Sequence, residues 1–157
     1  MAGMEEARVR RLAAVGLVLL AVAVGWARTG GQAPTLEELK ERVAKASVAD
    51  RPPLCVNISE RQLSDADRLY VAGDSERAQA ALADVAAYSE FARDYAVQSH
   101  KHEKQSEIAI RKMVRKLEDI KHAVAHDDQE QVQLTIDRLQ RVRDDLQAAM
   151  FQKGDKK

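Results

Sequence analysis

The chain has 157 residues, with 25 Lys and Arg against 25 Asp and Glu, a formal net charge of zero and a single cysteine. That balance argues against the one-sided cationic footprint of a nucleic-acid binder. One cysteine excludes an intrachain disulfide framework and a multi-cysteine zinc site. Alanine fills 26 positions, charged residues make up 32% and aromatics only 4%, a composition that points to an all-α chain whose helices meet through thin, small-residue seams.

Residues 1–27 read as an address. Arg8, Arg10 and Arg11 precede an uninterrupted apolar stretch, Leu12 to Val24, and small residues follow at Gly25 and Ala27. The stretch has signal-peptide length and falls short of the roughly 20 residues of a spanning helix. The expectation is export to the periplasm or the extracellular space with cleavage after Ala27. Retention of residues 12–27 as an uncleaved anchor is the alternative, and only that case gives a membrane role. Removing residues 1–27 leaves 22 positive and 23 negative groups, still near neutral.

Residues 28–34 form a linker, and Thr35 with Glu38 makes a capping box that opens the first helix. Leu36, Leu39, Val43 and Ala46 recur on one face, so a helix is expected over about 35–49, ended by the Asp50-Arg-Pro-Pro53 run, which also suits the start of the next helix. A second helix, about 54–72, turns inward through Cys55, Ser59, Leu63, Ala66 and Tyr70. Gly73 closes it as a left-handed terminator.

Asp74 to Lys153 contains neither glycine nor proline. A heptad register runs unbroken from 78 to 124, one seam position being Ala78, Val85, Ala92, Ser99, Ser106, Met113 and Ile120. The other is Leu82, Ser89, Ala96, Glu103, Ile110, Leu117 and Val124. Read literally, the register favours a coiled-coil-like helix over 75–125, a rod of roughly 75 Å, kinked near 99–104 where the seam turns polar. The alternative, which the polar middle favours, is a turn near Gln98–Gln105 that makes two helices and a compact molecule. After a turn at 125–128, a last helix over about 128–151 presents Val132, Thr135 with Ile136, Leu139, Val142, Leu146 and Ala149 with Met150 to the end of the long helix as an antiparallel pair. Residues 154–157 are a basic tail. The fold expected is all-α: elongated helical hairpins or a bundle with a heptad seam.

Within this frame, Tyr70, Gly73, Asp74, Ala78 and Leu82 in the stretch ADRLYVAGDSERAQAALADV resemble one tetratricopeptide hairpin: an aromatic before a Gly-Asp turn, then an alanine four residues on. The resemblance covers about 20 residues, without the closing proline or a second copy, and implies close packing of the paired helices at the alanine.

Candidate chemistry is sparse. His122 and His126 are four residues apart, a spacing with which one helix can chelate a transition metal, although the seam at Ile120 and Val124 puts both on the outer, polar face. Cys55 is a leftover thiol that can pair between molecules in an oxidising compartment or sit buried as a small core residue. Tyr88, Phe91 and Tyr95 cluster three aromatics on one stripe, suited to a binding surface or to packing on an earlier helix. Asn57-Ile-Ser59 is a glycosylation sequon. Lys101, Lys104, Arg111, Lys112, Arg115, Lys116 and Lys121 invite an anionic partner, but the interleaved Glu103, Glu107, Glu118 and Asp119 point to a solvated face of mixed charge. Leu134-Thr135 begins the L-T-x-x-Q signature of small periplasmic stress chaperones, yet Arg138 stands where the glutamine belongs. There is no glycine-rich phosphate loop, no G-x-S-x-G and no H-E-x-x-H. The expectation is a non-enzymatic exported protein without a cofactor. It acts by protein–protein interaction or self-association, with a chaperone-like or metal-binding role as alternatives.

Overall fold

A computed structural model describes residues 33–154; among these are five α-helices and no strand. The signal reading of residues 1–27, the linker up to residue 32 and most of the tail lie outside the described residues. Helix α1 spans Leu36–Lys45, α2 Arg51–Val71, α3 Ser75–Ser99, α4 Glu103–Ala123 and α5 His126–Gly154. A 3-10 turn, Val48–Asp50, joins α1 to α2.

The capping box of α1 forms as read: Thr35 Oγ1 accepts from the Glu38 amide at 3.2 Å and Glu38 Oε2 accepts from the Thr35 amide at 2.8 Å. The helix stops at Lys45 because Ala46 and Ser47 are extended. The two prolines do not separate α1 from α2. They occupy the first turn of α2, where their missing amides would be unpaired in any case.

Helices α2 and α3 form an antiparallel hairpin around Gly73, whose φ of 78° suits a residue without Cβ, and Asp74 then caps α3 by accepting from the Arg77 amide. Across the hairpin Gln62 donates to Asp84 at 2.6 Å, and the buried Ser59 and Ser89 hydroxyls meet at 3.3 Å. Helices α4 and α5 form the second antiparallel hairpin, joined at Lys121 and Gln133 and again at Glu107 and Gln147. Ser75 and Gln79 reach Asp128 while Arg93 reaches Asp145, so α3 and α5 run parallel. Lys116 of α4 meets Asp67 of α2 at 2.6 Å. One apolar cluster unites the four helices, from Leu63 and Leu82 through Ile110 and Leu117 to Leu139 and Leu146. Each such aliphatic side chain taken from water contributes about 1.5–3 kcal/mol. The molecule is an all-α helical bundle.

The long-helix expectation is corrected here. Residues 75–125 are two helices, because His100 and His102 both adopt left-handed backbone, φ 55° and 64°. The heptad positions are nonetheless buried on both sides of the break, only Ser99 and Val124 being partly exposed. The seam is therefore filled within one chain, and it does not require a second copy.

Candidate functional site

The three aromatics of α3 are brought together on its outer side. Tyr88 and Phe91 pack edge to face with centroids 5.7 Å apart, and Phe91 and Tyr95 lie at 6.5 Å. Spacings of three and four residues put them on one stripe, offset from the buried face that carries Val85, Ser89, Ala92 and Ala96. The last ring of the stripe is held by an earlier element. The Arg51 guanidinium sits 5.0 Å from the centre of the Tyr95 ring, a cation–π contact, and Arg51 Nε also donates to the Ala46 carbonyl at 3.1 Å. Arg51 thereby ties the start of α2 both to the end of α1 and to the Tyr95 ring of α3. Burial pushes the Tyr88 phenol above its ordinary range, against the opposing influence of the Lys40 ammonium on α1. Phe91, between them, stays 46% exposed.

One and two turns before Tyr88 on the same stripe, Asp84 and Ala80 line an open groove of about 730 Å³ between α2 and α3. Leu69, Ala72, Arg68 and Arg77 complete its wall, and Ala80, Ala83 and Phe91 are exposed. The solvent side of α3 is thus mixed, with Ala80, Ala83, Phe91 and Val97 exposed among Glu76, Arg77, Asp94 and Gln98. Tyr95 is held by Arg51 from the start of α2, and Phe91 is presented to solvent.

The other candidates fare differently. Cys55 has no exposed surface, and burial pushes its thiol up to about 11, against the opposing charge of Arg51. It lies one turn beyond the helix N-terminus, where the dipole no longer helps. In the folded chain it is a core residue, which removes the reading of a reactive interaction thiol. Ser59 of the sequon is equally buried and donates to the Val85 carbonyl at 3.2 Å, so Asn57 is exposed beside a hydroxyl that the fold has consumed.

His122 lies in the last turn of α4, and His126 is the first residue of α5, with Val124 extended between them. The two imidazoles do not share a helix, so the spacing argument for chelation fails. Both are exposed, and no group of three His, Cys, Asp or Glu that could hold a metal ion occurs among the described residues. Arg138, which replaces the glutamine of the chaperone signature, makes a two-pronged contact with Glu90 of α3 at 2.9 and 2.8 Å; hydrogen bonding to that carboxylate raises its pKa. Leu134 is 49% exposed and Thr135 is turned inward onto the Gln131 carbonyl.

The long-range role of Asp128 is not legible in the sequence. Asp128 is buried and accepts from Ser75 at 2.8 Å and Gln79 at 3.1 Å, joining the starts of α3 and α5. Burial, with the Asp128 carboxylate nearby, pushes the Tyr70 phenol up to about 12. A tertiary carboxylate of this kind leaves no mark in spacing, since its partners are about 50 residues away. No helix among the described residues is long and apolar enough to cross a membrane. No family model, curated protein or solved structure matches this chain.

Proposed function

We propose that this is an exported, non-enzymatic helical protein that works by binding another protein chain through the outer face of α3. The observation that carries the reading is Phe91, 46% exposed and flanked by two tyrosine rings, of which Tyr95 is held by Arg51. A rigid aromatic needs little ordering on binding, so its contact area converts efficiently to affinity. The apolar run of Ala80, Ala83 and Phe91 lets a partner helix approach closely. Export rests on the sequence of residues 1–27. The non-enzymatic reading is supported by the fate of the nucleophiles: Cys55 is sealed in the core, and Ser59 and Ser89 are bonded to each other and to a carbonyl.

The test is a photo-crosslinking amino acid placed at Phe91 of the full chain, expressed in the cells it comes from, with Arg141 on α5 as the control position. A discrete adduct from position 91, absent from 141, is expected. An adduct of twice the chain's mass makes the partner a second copy, and any other mass a different protein. No adduct from 91, or the same adducts from both positions, overturns the proposal.

A further inference from the structure

The charge pattern of α4 changes once the helix is folded. Glu103 and Glu107, which alternate with the cations along the sequence, are both only 6% exposed. Every exposed charged side chain from Lys101 to Lys116 is therefore cationic: Lys101, Lys104, Arg111, Lys112, Arg115 and Lys116. The expected mixed-charge face exists only beyond this point, at Glu118 and Asp119. Asp67 holds Lys116 and, with Glu60, borders Lys112 from α2. Lys101, Lys104, Arg111 and Arg115 have no ion-pair partner among the described residues.

Lys104, Ile108, Arg111 and Arg115 follow at spacings of four, three and four, one stripe up the helix. Beside it runs a groove of about 490 Å³, lined by Lys104, Ile108 and Arg111 with Met150 and Phe151 of α5, and floored by Glu107 and Gln147, which bond to each other at 3.2 Å. Phe151 is 76% exposed, and the sequence continues through Lys153, Lys156 and Lys157.

We infer that this face of α4, with Phe151 at its edge, docks on a bilayer surface of anionic lipids. Unpaired like charges held together on a rigid helix repel one another, and a negative surface removes that cost. Lysine is depleted from protein interfaces, whereas cations interleaved with an aliphatic and an exposed aromatic side chain are the composition of a surface that rests on headgroups. Headgroups need charge density and no matched contour, which suits cations spread along about 20 Å of helix beside an open groove. The molecule's net charge of zero makes the attraction local, acting within about 10 Å at ordinary ionic strength.

The experiment is co-sedimentation of the full chain with vesicles of neutral phosphatidylcholine, with or without about 30% phosphatidylglycerol. Any apolar insertion by residues 12–27 contributes to both, so the excess on the anionic vesicles is the readout. That excess should fall as salt rises from about 50 to about 500 mM. Arg111→Glu/Arg115→Glu, at exposed and unpaired positions, should keep its helical circular dichroism and lose the excess by about tenfold or more. Arg42→Glu/Lys45→Glu on α1, with the same charge change, should keep it. An excess that is absent, that survives Arg111→Glu/Arg115→Glu, or that is lost equally in the α1 variant overturns the inference. So does retention on immobilised polyglutamate without any vesicle excess, which would make the partner an acidic protein.

Discussion

The two hairpins of the bundle reach the same degree of burial with different side chains. In α3, alanine or serine occupies six of the eight buried positions, and its partner α2 buries Cys55, Ser59 and Ala66 beside Ile58 and Leu63. In the second hairpin Ile110, Met113, Leu117 and Ile120 face Val132, Ile136, Leu139 and Leu146. Small residues release little apolar area each but let the backbones approach. The contact then depends on fit, and on the hydroxyls being satisfied, as Ser59 and Ser89 are. Aliphatic residues carry the larger transfer energy and tolerate imperfect fit. The first hairpin should thus be limited by available space and the second by lost volume.

That contrast is open to attack from both sides. The largest effect is expected in the aliphatic hairpin: Leu139→Ala, at a position with no exposure, should lower the unfolding free energy by about 2–5 kcal/mol in urea. A loss under about 1 kcal/mol would mean that α5 contributes little to the core and would reverse the ranking. Next comes the opposite change in the other hairpin. Ala92→Leu, also at zero exposure, should destabilise by about 1–3 kcal/mol through overpacking, although it adds apolar volume. Unchanged or raised stability would show that the α2–α3 seam has slack and that fit does not govern it.

The heptad reading located most of this core. Twelve of its fourteen positions are buried, and the stripe of α5 was legible residue by residue. Continuity was not, because periodicity reports which face is buried and says nothing about the direction the helix takes. Two hairpins whose inner faces happen to share a phase give the same pattern as one rod. The break at His100–His102 contains no glycine, and histidine enters the left-handed region more readily than most residues but without a signature of its own. Glu103 and Glu107 misled for a related reason. Acids at buried positions read as surface, so the sequence alone gives α4 a mixed charge that burial of Glu103 and Glu107 removes. Ile58 and Gln62 of α2 are also buried, one residue to the side of the stripe that spacing marks out. The exposure of Phe91 and Phe151 could not be read at all, since burial of an aromatic depends on whether a neighbour arrives.

The joint between the hairpins yields the smallest effect. His102 precedes α4 with φ 64°, and its side chain makes no capping bond, while its carbonyl still accepts from the Ser106 amide at 2.8 Å. Left-handed backbone costs a residue with Cβ about 1–2 kcal/mol. Glycine escapes that cost but gives back about 0.5–1 kcal/mol through its freer unfolded chain. His102→Gly should therefore raise the unfolding free energy by no more than about 1 kcal/mol, whereas His102→Ala, which keeps Cβ, should not raise it. Equal urea midpoints for the two variants would mean that the turn is unstrained and that the break belongs to the local sequence. A gain confined to glycine would mean that packing imposes the break: two left-handed residues are tolerated because folding α4 back buries Ile110, Leu117 and Ile120 against the rest of the core. Burial on that scale is about twice the strain of the two left-handed residues, which is why a register fit for a rod closes into a bundle.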